Sequence, residues 1–407
     1  MRFPLNLFPI FANNMHKNCT HMKRIASLFI LLFLAGWTST SAQTYRFDHG
    51  PYLQELTNTG VTFVFTTSEK GISWVELKDD NGKITSHYDV KNGLRNAYTT
   101  FNTIRVEGLD PDTRYQYRMI SKQIADFQPY KVTFGDSITS QWYEFSTWNP
   151  KTDRCSFIAL SDMHQDPDKL AQLLNLADVQ SADIIFYVGD MMNYYDNEAV
   201  PFQSFIDTSV SLFATERPFV LVRGNHETRG NKAREYNRYV PKSDGKYYGA
   251  YRIGDVMFVI MDCGEDKPDD FWVYAGLTDF DGYRKEQAEW FSKIIQTKEY
   301  KTARWHVVMN HFPPISHLAE DHPERHGVQH MLDLFLPLYR QAKIDLMISG
   351  HNHKYEFMSP EEFEEIGFPV IINSTESVAR VDIDGKTMEV KVEDKNGNTL
   401  KTLTVEK

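Results

Sequence analysis

Hydrophobic and polar positions follow two regimes along the chain. From Tyr45 to about Trp148 they are strand-like. Val61-Thr62-Phe63-Val64-Phe65 and Trp74-Val75-Glu76-Leu77 are rich in β-branched and aromatic residues, and Asp79-Asp80-Asn81-Gly82 supplies turn chemistry after them. This predicts an all-β segment. Trp148-Asn149-Pro150-Lys151-Thr152-Asp153 reads as a linker. Beyond it come short apolar runs separated by helix-like stretches. Ser156–Leu160, Ile184–Val188, Pro218–Val222, His306–Met309 and Leu346–Ile348 predict buried strands, and Asp168–Val179, Arg284–Thr297 and Gln329–Gln341 predict helices. In the last helix Met331, Leu334, Phe335 and Leu338 share one face, as core packing requires. From Phe368 the strand pattern returns, with Asp384-Gly385 and Asn396-Gly397 as hairpin turns. The expectation is a β-sandwich over residues 43–149 and an α/β domain over residues 150–407.

Residues 1–42 fit neither regime. Lys23 and Arg24 precede the apolar run Ile25–Ala35, and Thr40-Ser41-Ala42 supplies small residues before Gln43. That order is the one found in secretory leaders, with Met22 as a candidate translation start. The run is short for a transmembrane span, so the expected product is secreted or periplasmic and keeps no stable membrane span after cleavage.

Composition narrows the partners. With 41% hydrophobic residues, 27 Phe and 21 Tyr, the chain has ample apolar area to bury. The leader holds Arg2, Lys17, Lys23 and Arg24 and no acid, so its removal leaves 40 basic against 55 acidic residues. A balance this negative disfavours nucleic acid and anionic lipid as partners. Outside the leader the cysteines are Cys155 and Cys263, too few for a disulfide framework or a thiolate metal site.

The chemistry lies where the five apolar runs end: Asp162-Met163-His164, Gly189-Asp190, Gly224-Asn225-His226-Glu227, Asn310-His311 and Gly350-His351-Asn352-His353. In α/β sheets ligands bind beyond the carboxyl ends of strands. One such His or Asp would be unremarked, but five coincident ends point to a metal site. Neither rival catalytic motif survives: Asp384-Gly385-Lys386-Thr387 lacks the first glycine of a phosphate-binding loop, Arg380 standing in its place, and no G-x-S-x-G elbow occurs.

These blocks, in this order, resemble the calcineurin-like metallophosphoesterases, whose signature runs D-x-H, G-D, G-N-H-[DE], H and G-H-x-H. The resemblance implies a β-sandwich flanked by helices around a dinuclear site. It implies one metal on Asp162, His164, Asp190 and His353 and a second on Asp190, Asn225, His311 and His351. Asp190 would bridge, since a carboxylate can hold two cations about 3.5–4 Å apart. It further implies metal-activated hydrolysis of phosphoesters, phosphomonoesters foremost, with Asp190 and His226 as catalytic residues and Glu227 supporting His226. Oxygen and nitrogen donors without sulfur suit two divalent or trivalent ions of Mn, Fe, Zn, Ni or Co. His317 is the expected substrate contact among the histidines that follow His311.

Leu109-Asp110-Pro111-Asp112-Thr113-Arg114-Tyr115-Gln116-Tyr117 resembles the corner of fibronectin type III sandwiches, where a Tyr bonds back to the chain. A sandwich ahead of such a site is similar to the purple acid phosphatases. Those have D-x-G as the first block and a Tyr three residues beyond the bridging Asp, whereas this chain has His164 and Asn193. Two other readings stay open: nucleotide or cyclic-nucleotide phosphodiester or pyrophosphate cleavage, with Tyr194, Tyr195, Phe271, Trp272 or Tyr274 stacking on a base, and a non-catalytic cell-surface binding protein.

Overall fold

The computed structural model describes residues 45–407; the leader and Met22 lie outside them. The first strands are β1 (Tyr52–Gln54), β2 (Gly60–Lys78), β3 (Ile84–His87), the short hairpin β4 (Val90–Lys91) and β5 (Leu94–Arg95), then β6 (Ala97–Glu107), β7 (Arg114–Gln128), β8 (Lys131–Thr139) and β9 (Tyr143–Ser146). Two expected strands, Val61–Phe65 and Trp74–Leu77, are one: β2 runs through both, with its register shifted between Thr66 and Gly71. Its first half pairs with β1 and β6 and its second half with β3 and β7. The irregularity passes the strand from one set of partners to the other, as bulges do. Phe63, Phe65, Val75, Leu77, Ile104, Tyr117 and Phe145 from both sets close one core. The Asp110 N–H donates to the Tyr115 hydroxyl at 3.0 Å, bracing the turn before β7.

Two six-stranded sheets follow. The first has the order β12 (Phe219–Leu221), β11 (Ile184–Tyr187), β10 (Arg154–Leu160), β19 (Ser377–Asp384), β20 (Thr387–Asp394), β21 (Thr399–Glu406). The second has the order β13 (Gly249–Ile253), β14 (Val256–Met261), β15 (Trp305–Asn310), β16 (Leu346–Ser349), β18 (Val370–Ile372), β17 (Glu356–Met358). β10, β11 and β12 are parallel, as are β14, β15, β16 and β18, so their carboxyl ends point one way within each sheet. Side-chain alternation sorts the layers. Phe157, Ala159 and Phe186 face Phe258, Val307 and Ile348 in the core between the sheets. Ile158, Leu160 and Ile185 turn outward onto helix α1 (Pro167–Leu176), near which α2 (Asp207–Leu212) also lies. On the far side Val259, Val308 and Met347 pack against α3 (Phe280–Ile294) and α5 (Arg325–Ala342), with the short α4 (Lys298–Thr302) between them in sequence. All three expected helices form, with ends displaced by a few residues.

The sequence reading passed over β14, a central strand whose six residues are all buried. Its run ends in Asp262-Cys263, a metal-type pair like the other strand ends, but Asp262 is taken up by Arg223 at 2.7 Å instead of joining the donor sets. Cys155 and Cys263 are both free and buried.

Residues 45–407 make one compact unit. The N-terminal strands are joined to the sheets by buried contacts: the Tyr52 hydroxyl donates to Tyr239 O at 2.7 Å, Leu53 N–H to Ala214 O at 2.9 Å and the Tyr117 hydroxyl to Thr215 O at 2.7 Å. Tyr52, Val64 and Phe101 enter the same apolar cluster as Leu160 and Tyr187. Truncating the fully buried Tyr52 to Ala should therefore lower stability by about 3–5 kcal/mol, the usual cost of emptying a buried aromatic site. Denaturant unfolding checks this, and a separate melting of the N-terminal strands with the remainder unaffected would show that the contact is not structural.

Candidate metal centre

Each functional side chain sits on the first residues after a buried parallel strand. β10 delivers Asp162 and His164, β11 Asp190, β12 Asn225 and His226, β15 His311, and β16 His351 and His353. The loops are bound to each other: Asp162 N–H donates to Gly189 O, His164 N–H to Asp190 O and Gly350 N–H to His311 O, all at 3.0 Å. Turning so sharply off a strand costs conformational strain. Asp162, His164, Asp190, His351 and His353 all have positive φ, between 49° and 73°, a left-handed region that non-glycine residues rarely enter. The three glycine positions are steric: a Cβ on Gly189 would run into the His311 imidazole, one on Gly224 into Asp190 Oδ1 and one on Gly350 into Asp162 Oδ2.

Glu227 holds this arrangement from beneath. Fully buried, it accepts from Asp190 N–H (2.8 Å) and Gly224 N–H (2.9 Å) through Oε2, and from Met191 N–H (2.8 Å) and Met192 N–H (3.2 Å) through Oε1. Burial pushes its carboxyl up to about 7, against those four donors, which favour the anion. Its partners are these backbone groups rather than the His226 side chain.

Two sets of donor atoms converge. Asp162, His164, Asp190 and His353 form one group able to hold a metal ion, and Asp190, His311 and His351 form another, so Asp190 belongs to both. His164 Nε2 and His353 Nε2 lie 3.1 Å apart, and His353 Nε2 is 3.4 Å from Asp162 Oδ1. The His311 Nδ1–H donates to Val188 O at 2.7 Å, which turns Nε2 toward Asp190 Oδ2 at 3.1 Å. The Asn225 amide Nδ2 faces Asp266 Oδ2 at 3.4 Å, leaving Oδ1 buried without a partner. His311 Nε2 is likewise buried without a hydrogen bond. The Asn225 oxygen is an orphaned acceptor beside carboxylates, costly unless a cation takes it up, and His311 Nε2 has only the Asp190 carboxylate before it, so the residues fit a cation.

The electrostatics agree. Burial raises Asp162 to about 6, and it lowers His164 to about 4 and His351 to about 3, keeping the imidazoles neutral as ligands must be. Burial also opposes charge on Asp190 and His311, but each stabilises the other. The Asp190 carboxyl is held well below the usual range and His311 rises to about 10, so in the metal-free chain His311 is the exception: it carries a proton toward Asp190 that a cation would have to displace.

Residues 155–355 match the calcineurin-like phosphoesterase family. The chain carries a calcineurin-like phosphoesterase domain. Probable purple acid phosphatase 20 of Arabidopsis thaliana is 25% identical over 206 residues, covering 47% of this chain and 44% of that relative. The chain thus spans about half the length of the first curated relatives it matches. The structure of a purple acid phosphatase from yellow lupin (Lupinus luteus) seeds superposes with a TM-score of 0.63 at 15% identity, covering 88% of this chain and 74% of that one. The structure of PhoD does so at 0.58 and 12% identity, covering 87% and 92%. The fold is shared with both.

Around the donor sets the structure adds residues that sequence reasoning missed. Arg229 Nη1 donates to His226 Nε2 at 2.9 Å, while Glu265 grips the same guanidinium through Nε (2.9 Å) and Nη2 (3.0 Å). His226 Nδ1–H donates to Asn193 O at 2.8 Å, and Asn193 Oδ1 lies 3.1 Å from His164 Nδ1. Arg229 stands three residues after His226, a spacing that signals nothing by itself. His317 is not gathered into the centre: its Nε2 lies 2.8 Å from Glu356 Oε2 and its side chain is 58% exposed. His326 and His330 face Asp281 at 2.9 and 3.0 Å, and Arg284 already donates to that carboxylate at 2.8 Å. Of the aromatics considered for base stacking, Tyr195 packs on Tyr236 and Tyr239, Tyr194 and Trp272 are exposed, and Tyr274 lines a cleft beside Arg229.

Glu227→Gln puts an amide NH₂ against backbone N–H groups that now meet a carboxylate oxygen. The variant should lose at least about 2 kcal/mol of stability, because buried donors are left unpaired, and should bind metal more weakly. Denaturant unfolding of the metal-free protein and elemental analysis check both; unchanged values would show that the four contacts are incidental.

Proposed function

We propose that this chain is a hydrolase of phosphoesters, phosphomonoesters foremost, working at a dinuclear metal centre. The observation that carries the reading is the sharing of Asp190 between two convergent donor sets, together with the buried, unpaired oxygen of Asn225. Asp162, His164, Asp190 and His353 would hold one cation, and Asp190, Asn225, His311 and His351 the other, with Mn, Fe, Zn, Ni and Co suited to these donors. When bound, such a pair clamps phosphoryl oxygens and acidifies a water for in-line attack. A non-catalytic surface protein would have no need of the complete donor set.

The chain's own residues supply proton handling and orientation. His226 is fixed by its bond to Asn193 O, so Nε2 is the atom that faces Arg229 and, at 3.9 Å, Asp190 Oδ2. Burial lowers the His226 pKa, and Arg229 beside it acts in the same sense. His226 must therefore gain a proton at Nε2, with Arg229 turning from it to a phosphoryl oxygen, before it donates to the leaving oxygen. Asn193 takes the position where purple acid phosphatases have a tyrosine and here orients His164. The N-terminal strands are read as a fibronectin type III-like support over residues 43–149, for which the Tyr115 bond speaks. The leader is read as directing export.

Two variants separate metal binding from proton transfer. Asp190→Asn removes the one charge common to both donor sets, so elemental analysis should find both metals depleted and turnover should collapse; two full equivalents with normal turnover would sink the ligand assignment. His226→Ala should keep its metals and lose roughly 10²–10⁴-fold on alkyl phosphates, the range for a positioned general acid. With 4-nitrophenyl phosphate, whose leaving group needs no proton, the loss should be much smaller. Equal losses on both substrates would make His226 an orienting residue instead.

A further inference from the structure

A third group of metal-type side chains lies between helices α3 and α5, apart from the two donor sets. His326 and His330 stand four residues apart on α5, a spacing that puts two imidazoles on one helix face, one turn above the other. Asp281 comes from the first turn of α3. His326 Nε2 lies 2.9 Å from Asp281 Oδ1 and 3.0 Å from Oδ2, and His330 Nδ1 lies 3.0 Å from Oδ1. One donor atom from each of the three side chains lies within 4.8 Å of the other two.

Bonds of about 2.0–2.1 Å at tetrahedral angles place ligand atoms about 3.3 Å apart. The separations from Asp281 need to open only slightly to reach that, and they are close to the 3.1 and 3.4 Å that part His311 from Asp190 and His353 from Asp162. His330 Nδ1 is buried and makes no hydrogen bond despite its short distance, so the carboxylate does not satisfy it. Nor does Arg284 use the carboxylate up. A carboxylate offers about four lone-pair sites; the fully buried Arg284 takes one with Nη1, and sends Nε and Nη2 to Cys263 O and Glu265 O. It thereby fixes how Asp281 is turned, as hydrogen-bond donors fix carboxylates that ligate metals.

We propose that Asp281, His326 and His330 bind a zinc ion that clamps α3 to α5, separate from the donor sets that share Asp190. Two imidazoles with one carboxylate favour a transition metal over calcium or magnesium, and three protein ligands leave the fourth tetrahedral position to water. Side-chain exposures between 18% and 34% leave room for that water. The clamp sits where both helices grip one loop: the Gly327 N–H of α5 donates to Asp266 O at 2.7 Å, and Arg284 of α3 donates to Cys263 O and Glu265 O. Asp266 in turn meets the Asn225 amide, and Glu265 holds Arg229. The ion is structural: it fastens the helices behind that loop and takes no part in a chemical step.

The test uses the full chain, stripped of metal, loaded with Zn²⁺ and desalted. Elemental analysis should find one equivalent fewer in His326→Gln and in His330→Gln than in the unaltered chain. The same difference should separate Asp190→Asn from Asp190→Asn/His326→Gln, because this site fills whether or not the sets around Asp190 do. His322→Gln, at an exposed histidine of the preceding loop, should lose none. Zn²⁺ should also raise the Tm of Asp190→Asn more than that of Asp190→Asn/His326→Gln, since an ion bound only by the folded chain stabilises it. Zinc counts unchanged in both histidine variants would overturn the site and leave the cluster an ion pair. An equal loss in His322→Gln would overturn it as adventitious binding, and an equal rise in Tm would overturn the clamp.

Discussion

One buried carboxylate sets the geometry on which the rest depends. Glu227 draws four backbone N–H groups from two separate strand-end loops onto two oxygens. Without it the turns that carry Asp190 and Asn225 would be joined chiefly by the His226 N–H bond to Asp190 Oδ1. A carboxylate buried this deeply is tolerated because each lone pair has a donor, and the same donors resist the protonation that burial favours. It also helps to hold Asp190 in its left-handed backbone conformation, since Asp190 N–H is one of its donors.

The two sheets supply the rigidity behind those loops. Their facing cores are almost wholly apolar, and parallel strands in each sheet release their chains at one end. Asp162, Asp190 and Asn225 come from the first sheet and His311, His351 and His353 from the second. The centre is therefore a seam between sheets, and a shift of one against the other would separate the donor sets. The N-terminal strands work in the same direction, since Tyr52 and Tyr117 bond to backbone carbonyls on the helical side of the first sheet.

Outside the donor sets lies a ring of charges that compensate one another. Asp266 orients the Asn225 amide and helps balance Arg229, while Glu265 holds Arg229 against His226. Arg229 is thus the physical boundary between the metal centre and the cleft that Tyr274 lines. It touches the histidine on one side and lines the open volume on the other.

Local sequence determined much of this protein. Apolar runs of five or so residues are too short for helices of this domain and read as buried strands, and a ligand-type residue soon after each one marks the donor sets, because ligands bind beyond the carboxyl ends of such strands. Asp384-Gly385 and Asn396-Gly397 determined their turns through positive φ at the glycines. Tertiary structure alone decided what depends on distant chain segments meeting. β2 continues past Lys70-Gly71 because partners on both halves pair with it, which no local pattern reveals. β14 ends in Asp262 as the other strands end in ligands, and only the tertiary structure turns that carboxylate to Arg223 and away from the donor sets. Arg229, Glu265 and Asp266 lie up to 37 residues apart and acquire meaning only where their charges meet. His317 follows a metal-type ligand closely in sequence, yet the loop turns it to Glu356. Spacing along the chain fixes direction for a residue on a strand end, but in a loop direction is set by whichever partner is near in space.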